Sequence, residues 1–393
     1  MTISTPSARP QAGALTRVPA AVVRERGGAF TLEEIDLAPP WSDEVVVRIE
    51  AVGMCHTDIA VRDGEMPSPL PAVLGHEGAG RVVAAGAAVT DVAVGDPVVL
   101  TYLSCGQCRE CVGGAPASCA QLGGLCFGGG RPDGSHALCG HGGEMLHDRF
   151  FGQSSFAAYA VANRRNIVKV RSDAPLRLLG PLGCGIMTGA GAVWNALDVK
   201  PGSSVAVFGA GAVGLSGVMA ARVAGATTII AVDIVPSRLA LALEMGATHV
   251  IDGGKEDVVA AIRAIVAEGT DFALDTTGRE AVVRNAMLAL RQRGVAALVA
   301  AAQPELRLDM FNLLAGCKTI CGVIEGGGAA HLLIPRILDL YMAGRFPFDR
   351  MVRFYAPDQI NEALRDSISG DAVKPVIRFD DDVLEAALRA GAP

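Results

Sequence analysis

A glycine-rich turn between a strand and a helix constrains the fold of this chain most strongly. Residues 203–208 have the apolar, β-branched composition of a buried strand, and a G-x-G-x-x-G run from Gly209 to Gly214 follows at once. A small-residue helix over 215–224 comes next, and then a second strand that ends at Asp233. Three glycines in this strand–turn–helix setting, with an acid after the next strand, are the fingerprint of a dinucleotide-binding unit.

The three glycines and the acid each have a physical task in this interpretation. Gly209 allows the tight turn, Gly211 lets the backbone approach a pyrophosphate, and Gly214 lets helix and strand pack closely. Asp233 can accept hydrogen bonds from both ribose hydroxyls and would repel a 2′-phosphate, which favours NAD over NADP. The alternative interpretation is a glycine-rich turn that holds no ligand.

Alternation of strand and helix patterns continues from residue 236 to residue 300. Such alternation predicts a doubly wound parallel sheet, which places this part of the chain in the α/β class. We assign residues 186–324 to a Rossmann NAD-binding domain.

The chain before this domain has a different sequence pattern. β-branched runs separated by Gly, Pro and Asp fill residues 20–99 and predict a β-rich domain without convincing helices. After residue 325 the chain has two helix patterns and a strand that begins at Lys374. We expect residues 1–185 to form the first domain and residues 325–393 to fold back and complete it.

Composition and charge limit the partners of the protein. Half of the 393 residues are hydrophobic and 19% are charged, which is typical of a well-buried globular protein. The net charge of −7 makes nucleic acid and anionic membrane unfavourable partners. We find no signal peptide and no apolar run of membrane-spanning length, and therefore expect a cytoplasmic protein. Residues 1–17 are typical of a frayed terminus, with a transit peptide as the alternative.

Four of the ten cysteines crowd into residues 105–119. Three of them at spacings of three cannot all pair with one another in unstrained disulfides, but four thiolates can wrap one tetrahedral ion. A closed shell of thiolates predicts a structural zinc site; free or disulfide-bonded cysteines are the alternative. Its members are Cys105, Cys108, Cys111 and Cys119.

A second group of metal-ligand residue types lies earlier in the chain. Cys55, His56, Thr57 and Asp58 are consecutive, and His76 and Glu77 follow after a short interval. A thiolate and a neutral imidazole, Cys55 and His76, are a zinc-type ligand pair. Two ligands do not complete a zinc site, and spacing does not identify a third.

A glycine-rich segment over residues 120–150 separates these groups from an aromatic run, Phe150 to Phe156. Its scattered His and Cys residues have no recognised ligand spacing, so we predict a surface loop over a cleft; a second metal cluster is the alternative. The aromatic run is consistent with plain core or with the wall of an apolar pocket. Four cysteines have no assigned role and are typical of buried thiols: Cys126, Cys139, Cys317 and Cys321.

Taken together, these motifs resemble those of the zinc-dependent medium-chain alcohol dehydrogenases, over about residues 18–380. The aromatic run and the long segment before it are most similar to the benzyl (aryl) alcohol and terpenoid-type members. The resemblance implies a GroES-like β domain, completed by the C-terminal segment, and a Rossmann domain, with the active site in the cleft between them.

The resemblance also implies roles for individual residues. It identifies Cys184 as the third ligand of a catalytic zinc, Asp58 as the carboxylate that orients His76, and Glu77 as an alternate metal ligand. Zinc would act as a Lewis acid on the alcohol, Thr57 would accept the hydroxyl proton, and hydride would move to the nicotinamide of NAD⁺.

Further contacts follow from the same resemblance. Residues implied to contact the cofactor are Thr188 and Val213 at the nicotinamide, His56 and Lys374 at the pyrophosphate, and Arg238 near the adenosine ribose. Residues implied to line the substrate pocket are Met66, Phe150 and Phe151. One departure is Ala60, which occupies the position where several members carry a relay histidine.

The expected function is therefore reversible oxidation of a primary aromatic or allylic alcohol to the aldehyde, with two zinc ions per chain and NAD. A small-molecule alcohol or aldehyde would be the substrate, and we expect a homo-oligomer, a tetramer or a dimer. An S-hydroxymethyl (thiol-adduct) formaldehyde dehydrogenase of the same superfamily is the alternative enzyme. A zinc-containing scaffold without catalysis is the alternative from another class.

Overall fold

A computed structural model describes residues 16–300, 305–380, 382–383 and 387. The chain divides into two compact units: the first holds Met1–Cys184 and Val352–Pro393, and the second holds Gly185–Met351. The C-terminal segment thus returns to the first unit at Val352 and not at the expected residue 325. The difference arises because the helix over Ala330–Met342 packs on the helix over Gly185–Gly191 inside the second unit.

The strands, in chain order, are β1 (Thr16–Val23), β2 (Phe30–Leu37), β3 (Glu44–Gly53), β4 (Ala72–Val73), β5 (Glu77–Ala85), β6 (Pro97–Leu100), β7 (Leu138–Cys139), β8 (Tyr159–Asn163), β9 (Ile167–Lys169), β10 (Ser204–Phe208), β11 (Thr228–Asp233), β12 (His249–Asp252), β13 (Thr270–Asp275), β14 (Leu290–Leu298), β15 (Thr319–Gly322), β16 (Val352–Tyr355) and β17 (Lys374–Arg378).

The α-helices are α1 (His56–Asp63), α2 (Arg109–Val112), α3 (Leu122–Phe127), α4 (Leu176–Leu179), α5 (Gly185–Gly191), α6 (Ala212–Ala224), α7 (Pro236–Met245), α8 (Val258–Ile265), α9 (Glu280–Ala289), α10 (Met310–Ala315), α11 (Ala330–Met342) and α12 (Ile360–Ser369). A π-helical turn, Ala192–Ala196, follows α5 directly.

The first unit is built on two β-sheets. One has the order β16-β17-β3-β5-β6-β9, with β8 also paired to β3, and the other has the order β4-β1-β2-β7. Strand β3 is central because its apolar residues are buried on both faces, and it pairs with β17 from the C-terminal segment. This pairing brings the end of the chain to the strand that leads into Cys55.

Helix α1 is a correction to the prediction that residues 20–99 lack helices. Asp58 stabilises the helix start by accepting a hydrogen bond from the backbone N–H of Cys55 at 2.9 Å. Gly64 ends the helix in the left-handed conformation, with φ of 81°. The segment 120–150 is likewise not only a loop, since it contains α3 and β7.

The second unit contains the predicted doubly wound sheet, which confirms the fold class. Its parallel strands have the order β12-β11-β10-β13-β14-β15, so the order reverses beside β10. An apolar core formed by strands β10, β11, β12, β13 and β14 and helices α8 and α9 covers one face of the sheet. Ligands of such sheets bind at the carboxyl ends of the strands where the order reverses, and β10 ends there at Phe208.

Among the residues that the structure describes, no single helix is both long and apolar enough to cross a membrane. Two helical segments joined at a bend, Leu176–Gly183 and Gly185–Ala196, are together long and apolar enough to cross a membrane, by length and composition alone.

Candidate metal centre and cofactor site

Four potential metal ligands meet in the first unit. One ligand atom from each of Cys55, His76, Glu77 and Cys184 lies within 4.8 Å of the others. Cys55 precedes α1, His76 precedes β5, and Cys184 follows a short helical turn at 180–183. The structure therefore brings Cys184 to the pair that the sequence singled out. Its position far along the chain explains why local spacing could not find it.

The imidazole of His76 is oriented for metal binding. It is fully buried; Nδ1 lies 3.1 Å from Asp58 Oδ1, while Nε2 has no hydrogen-bond partner. A buried polar atom without a partner costs free energy, and a metal ion beside Cys55 and Cys184 would satisfy it. The residues present thus fit a zinc ion with two thiolates and one imidazole.

Asp58 holds several parts of this centre together. Besides His76, its carboxylate accepts hydrogen bonds from the backbone N–H of Cys55 at 2.9 Å and of Gly75 at 3.0 Å. One buried side chain therefore contacts both ligand-bearing segments, which is the geometry that its predicted orienting role requires.

Neighbouring residues shift the pKa values of the potential metal ligands. A hydrogen bond from Cys184 is the largest cause that lowers the pKa of the Cys55 thiol well below its usual value, and His76 lowers that pKa further. Burial alone would lower the pKa of His76, but Asp58 and Cys55 raise it well above the ordinary range. The site therefore favours a thiolate, which is the form that binds a metal ion.

Lys374 lies beside this centre and pairs with Glu77. Its Nζ donates to both carboxylate oxygens of Glu77, at 2.9 and 2.8 Å, and to the carbonyl of Met54 at 3.1 Å. The pKa of Glu77 is raised above its usual value, because the effect of burial is larger than the opposing effect of Lys374. Three acceptors thus use the three protons of the ammonium group. The predicted contact of Lys374 with the pyrophosphate stays a prediction.

Two phenyl rings pack directly on His76. The ring of Phe151 stacks on the imidazole with centroids 4.3 Å apart, and Phe150 meets it edge-on at 5.2 Å. Gln153 helps to hold this segment by donating to the carbonyl oxygens of His76 at 2.8 Å and Thr101 at 3.1 Å. We call Phe127, Phe150 and Phe151 the aromatic wall, since Phe127 contacts both of the other rings.

The four-cysteine cluster is a separate potential metal site in the first unit. The ligand atoms of its members lie within 4.8 Å of one another, and the cysteines are free thiols, which contradicts the disulfide alternative. Backbone N–H groups point at the sulfurs: Cys105 and Gln121 donate to Cys119 Sγ at 3.3 and 3.4 Å. Such bonds stabilise thiolates, which is the charge state that a structural zinc requires.

The glycine turn in the second unit has the geometry predicted for a dinucleotide site. Gly209 has a φ of 90°, and a Cβ at Gly214 would overlap the carbonyl oxygen of Gly209. A Cβ at Gly211 would meet nothing within 4 Å, so this side of the turn is open to a ligand. Asp233 accepts hydrogen bonds from Ala210 N at 2.6 Å and from the two following N–H groups.

The remaining predicted contact residues are placed as follows. Thr188 is buried in α5, and Val213 and Arg238 lie on α6 and α7 of the second unit, where Arg238 Nε is buried without a hydrogen-bond partner. His56 is the exposed first residue of α1, and Met66 is half-buried just after that helix. Their contacts with substrate and cofactor stay predictions.

Of the four cysteines expected to be buried, only Cys126 is buried; Cys139 and Cys321 are half-buried, and Cys317 is exposed, so the expectation was wrong for Cys317. Two of the four have hydrogen-bond partners. Cys126 is fully buried and donates from Sγ to Leu103 O at 3.5 Å. Cys321 donates to Ala296 O at 3.6 Å.

Comparison with known proteins gives the class of this protein. The family model for a zinc-binding dehydrogenase matches residues 212–340, and the model for the alcohol dehydrogenase GroES-like domain matches residues 42–172. Geraniol dehydrogenase of Castellaniella defragrans is 46% identical over 364 residues, which are 92% of this chain and 97% of that protein. The chain belongs to the zinc-dependent medium-chain alcohol dehydrogenases.

Solved structures narrow the assignment within the family. An alcohol dehydrogenase zinc-binding domain protein from Burkholderia ambifaria matches with a TM-score of 0.91 at 55% identity, over 93% of this chain and 99% of that chain. Benzyl alcohol dehydrogenase from Acinetobacter calcoaceticus matches with a TM-score of 0.90 at 50% identity, over the same shares of the two chains. The relatives thus include a terpenoid and an aryl alcohol dehydrogenase, which confirms the resemblance found in the motifs of this chain.

Proposed function

We propose that the protein oxidises primary aromatic or allylic alcohols reversibly to aldehydes, with hydride transfer to NAD⁺. The observation that carries the proposal is the unpartnered Nε2 of His76, which lies beside Cys55 and Cys184 and beneath the aromatic wall. Relatives that are a geraniol dehydrogenase and a benzyl alcohol dehydrogenase support this substrate class.

The residues of the first unit supply binding and proton transfer. Cys55, His76 and Cys184 would hold a zinc ion, which supplies Lewis acidity when bound. Thr57, whose Oγ1 lies 3.8 Å from Cys55 Sγ, would accept the hydroxyl proton of the substrate. Ala60 is buried in α1 and has no group that could relay that proton, so the next acceptor after Thr57 would be water or a ribose hydroxyl of bound NAD.

The choice of NAD rests on Asp233. Its carboxylate lies at the carboxyl end of β11, against the glycine turn, where a second phosphate on the ribose would meet a negative charge. This position supports NAD⁺ as the hydride acceptor.

A spectrophotometric panel tests the proposal. NAD⁺ and NADP⁺ reduction would be followed with benzyl alcohol, geraniol, perillyl alcohol and ethanol, together with the zinc content per chain. We expect benzyl or allylic alcohols and NAD⁺ to be preferred. Ethanol as the best substrate, or NADP⁺ as the preferred cofactor, would contradict the corresponding part of the proposal. Oxidation of S-hydroxymethyl thiol adducts without benzyl alcohol oxidation would favour the formaldehyde dehydrogenase.

A pair of cysteine variants supplies the control. Cys184→Ser should lose one zinc ion per chain and most of the activity. Cys139→Ser, a half-buried cysteine of the same unit outside both clusters, should keep both.

A further inference from the structure

Phe127 extends the aromatic wall outward by one ring. Its centroid lies 5.2 Å from that of Phe151 and 5.8 Å from that of Phe150, and both contacts are edge-to-face. Phe150 and Phe151 are only 3% and 5% exposed, whereas Phe127 is half-buried. Phe127 is therefore the member of the wall that still has aromatic surface to offer to a ligand.

The helix that carries Phe127 is weak in itself. Helix α3 has six residues and contains Gly123 and Gly124, and each helical glycine costs about 1 kcal/mol relative to alanine. A helix this short is not stable in isolation. The position of Phe127 must therefore be set by what anchors the two ends of α3.

Cysteines anchor both ends of α3. At its start, the carbonyl of Cys119, a member of the four-cysteine cluster, accepts a hydrogen bond from Leu122 N at 3.0 Å. At its end, fully buried Cys126 donates from Sγ to Leu103 O at 3.5 Å. A path of direct contacts thus leads from the four-cysteine cluster to Phe127, and from Phe127 through Phe151 to His76.

We propose that Phe127 is a specificity-determining residue for ring-bearing and allylic alcohols, and that the four-cysteine cluster and Cys126 set its position through α3. The inference rests on the proposed function and names the residue that selects its substrate class. A planar apolar group can pack on the open side of Phe127 in the edge-to-face or offset geometry that aromatic rings prefer. Ethanol has no group that reaches a ring separated from His76 by the layer of Phe150 and Phe151.

The test compares Phe127→Ala and Phe127→Leu with the wild-type holoenzyme on benzyl alcohol and on ethanol. We expect Phe127→Ala to raise KM for benzyl alcohol by about 10-fold while kcat stays within about two-fold, and to leave ethanol kinetics nearly unchanged. Phe127→Leu should lie between the two. Phe311→Ala, which removes a ring that is 81% exposed in the second unit, is the matched control and should change neither substrate.

Cys126→Ala tests the anchoring. It keeps the phenyl ring and should raise KM for benzyl alcohol by about three-fold at unchanged kcat. Unchanged KM in Cys126→Ala would overturn the role of this anchor. Equal losses on both alcohols, or an unchanged benzyl-to-ethanol ratio in Phe127→Ala, would overturn the role of Phe127. Zinc content and melting temperature, measured in parallel, identify a misfolded variant. If Phe127→Ala is misfolded, the benzyl-to-ethanol ratio of Phe127→Leu tests the role of Phe127 in its place.

A binding measurement separates this inference from the proposed function. The dissociation constant of benzyl alcohol can be measured by saturation-transfer NMR without turnover. If the wild-type protein reduced no cofactor with any alcohol, the proposed function would fail. The dissociation constants of benzyl alcohol for the wild-type protein and for Phe127→Ala would then still test the inference. About 10-fold weaker binding to Phe127→Ala would support it, and equal binding would refute it.

Discussion

Removing Lys374 should destabilise the first unit more than it weakens NAD binding. The side chains of Lys374 and Glu77 are 4% and 0% exposed, and two N–O distances of 2.8 and 2.9 Å join them. Breaking a buried ion pair by removing one partner costs about 3–5 kcal/mol, because the other charge stays buried without compensation. Lys374→Met keeps the length of the side chain and removes the charge, so we expect a loss of stability in that range.

A second substitution checks the origin of this loss. Glu77→Gln in the Lys374→Met background removes the uncompensated carboxylate and should recover a large part of the stability. Lys169→Met is the matched control, since Lys169 pairs with Asp96 in the same unit and its side chain is 52% exposed. That variant should unfold like the wild-type protein.

Tryptophan fluorescence can measure the unfolding of the first unit alone. The chain has two tryptophans, of which Trp41 lies in the first unit and Trp194 in the second. In a Trp194→Phe background, urea unfolding followed by tryptophan fluorescence therefore reports the first unit, and NAD affinity is measured on the same proteins. An unchanged unfolding midpoint, with NAD binding weakened by about 10-fold or more, would refute the structural assignment. It would favour the pyrophosphate contact that the resemblance implies for Lys374.

Three further predictions concern the carboxylates and one histidine. Asp58→Asn should release zinc to a chromogenic chelator about 10- to 100-fold faster, because His76 loses its orienting partner; an unchanged release rate would contradict that role. Asp233→Asn should raise kcat/KM for NADP⁺ relative to NAD⁺ by at least about 10-fold, and an unchanged ratio would contradict charge repulsion as the basis of selectivity. Asp148, whose carboxylate lies 3.4 Å from the imidazole, raises the pKa of His136. The stabilisation by this ion pair is therefore complete below the unfolded pKa and disappears as pH rises through the folded pKa. His136→Asn should accordingly lower the melting temperature at about pH 5.5 and not at pH 9, and an equal loss at both would exclude this linkage.

Much of the second unit could be predicted from the sequence because its signals are local. Helix α7 (Pro236–Met245) is an example, since a proline marks its start and Gly246 its end in the sequence itself. Helix α1 was missed because it has eight residues, includes β-branched ones, and begins after a cysteine in place of a usual capping residue. Asp58, three residues after Cys55, and Gly64 were the signals that could have located it.

The partner of Lys374 could not be predicted because it depends on pairing between distant strands. Register places Val376 of β17 opposite Gly53 of β3, and Gly53 opposite Glu77 of β5. A Cβ at Gly53 would overlap a carboxylate oxygen of Glu77, so only glycine leaves room for the side chain that Lys374 reaches. No local pattern in the sequence records this arrangement of three strands.

The same separation in sequence explains why local motifs indicated only part of the metal centre. One residue, Asp58, joins the separate segments that carry its ligands. Cys55 and His76 belong to different elements, and what fixes their distance is the single carboxylate of Asp58, which binds the N–H of Cys55, the N–H of Gly75 and the ring of His76. That carboxylate also stabilises the start of α1. The bonds that fold this part of the chain are therefore the bonds that orient the ligands. Substitution of Asp58 should consequently change helix stability and metal retention together, whereas substitution of Cys184 should change metal retention alone.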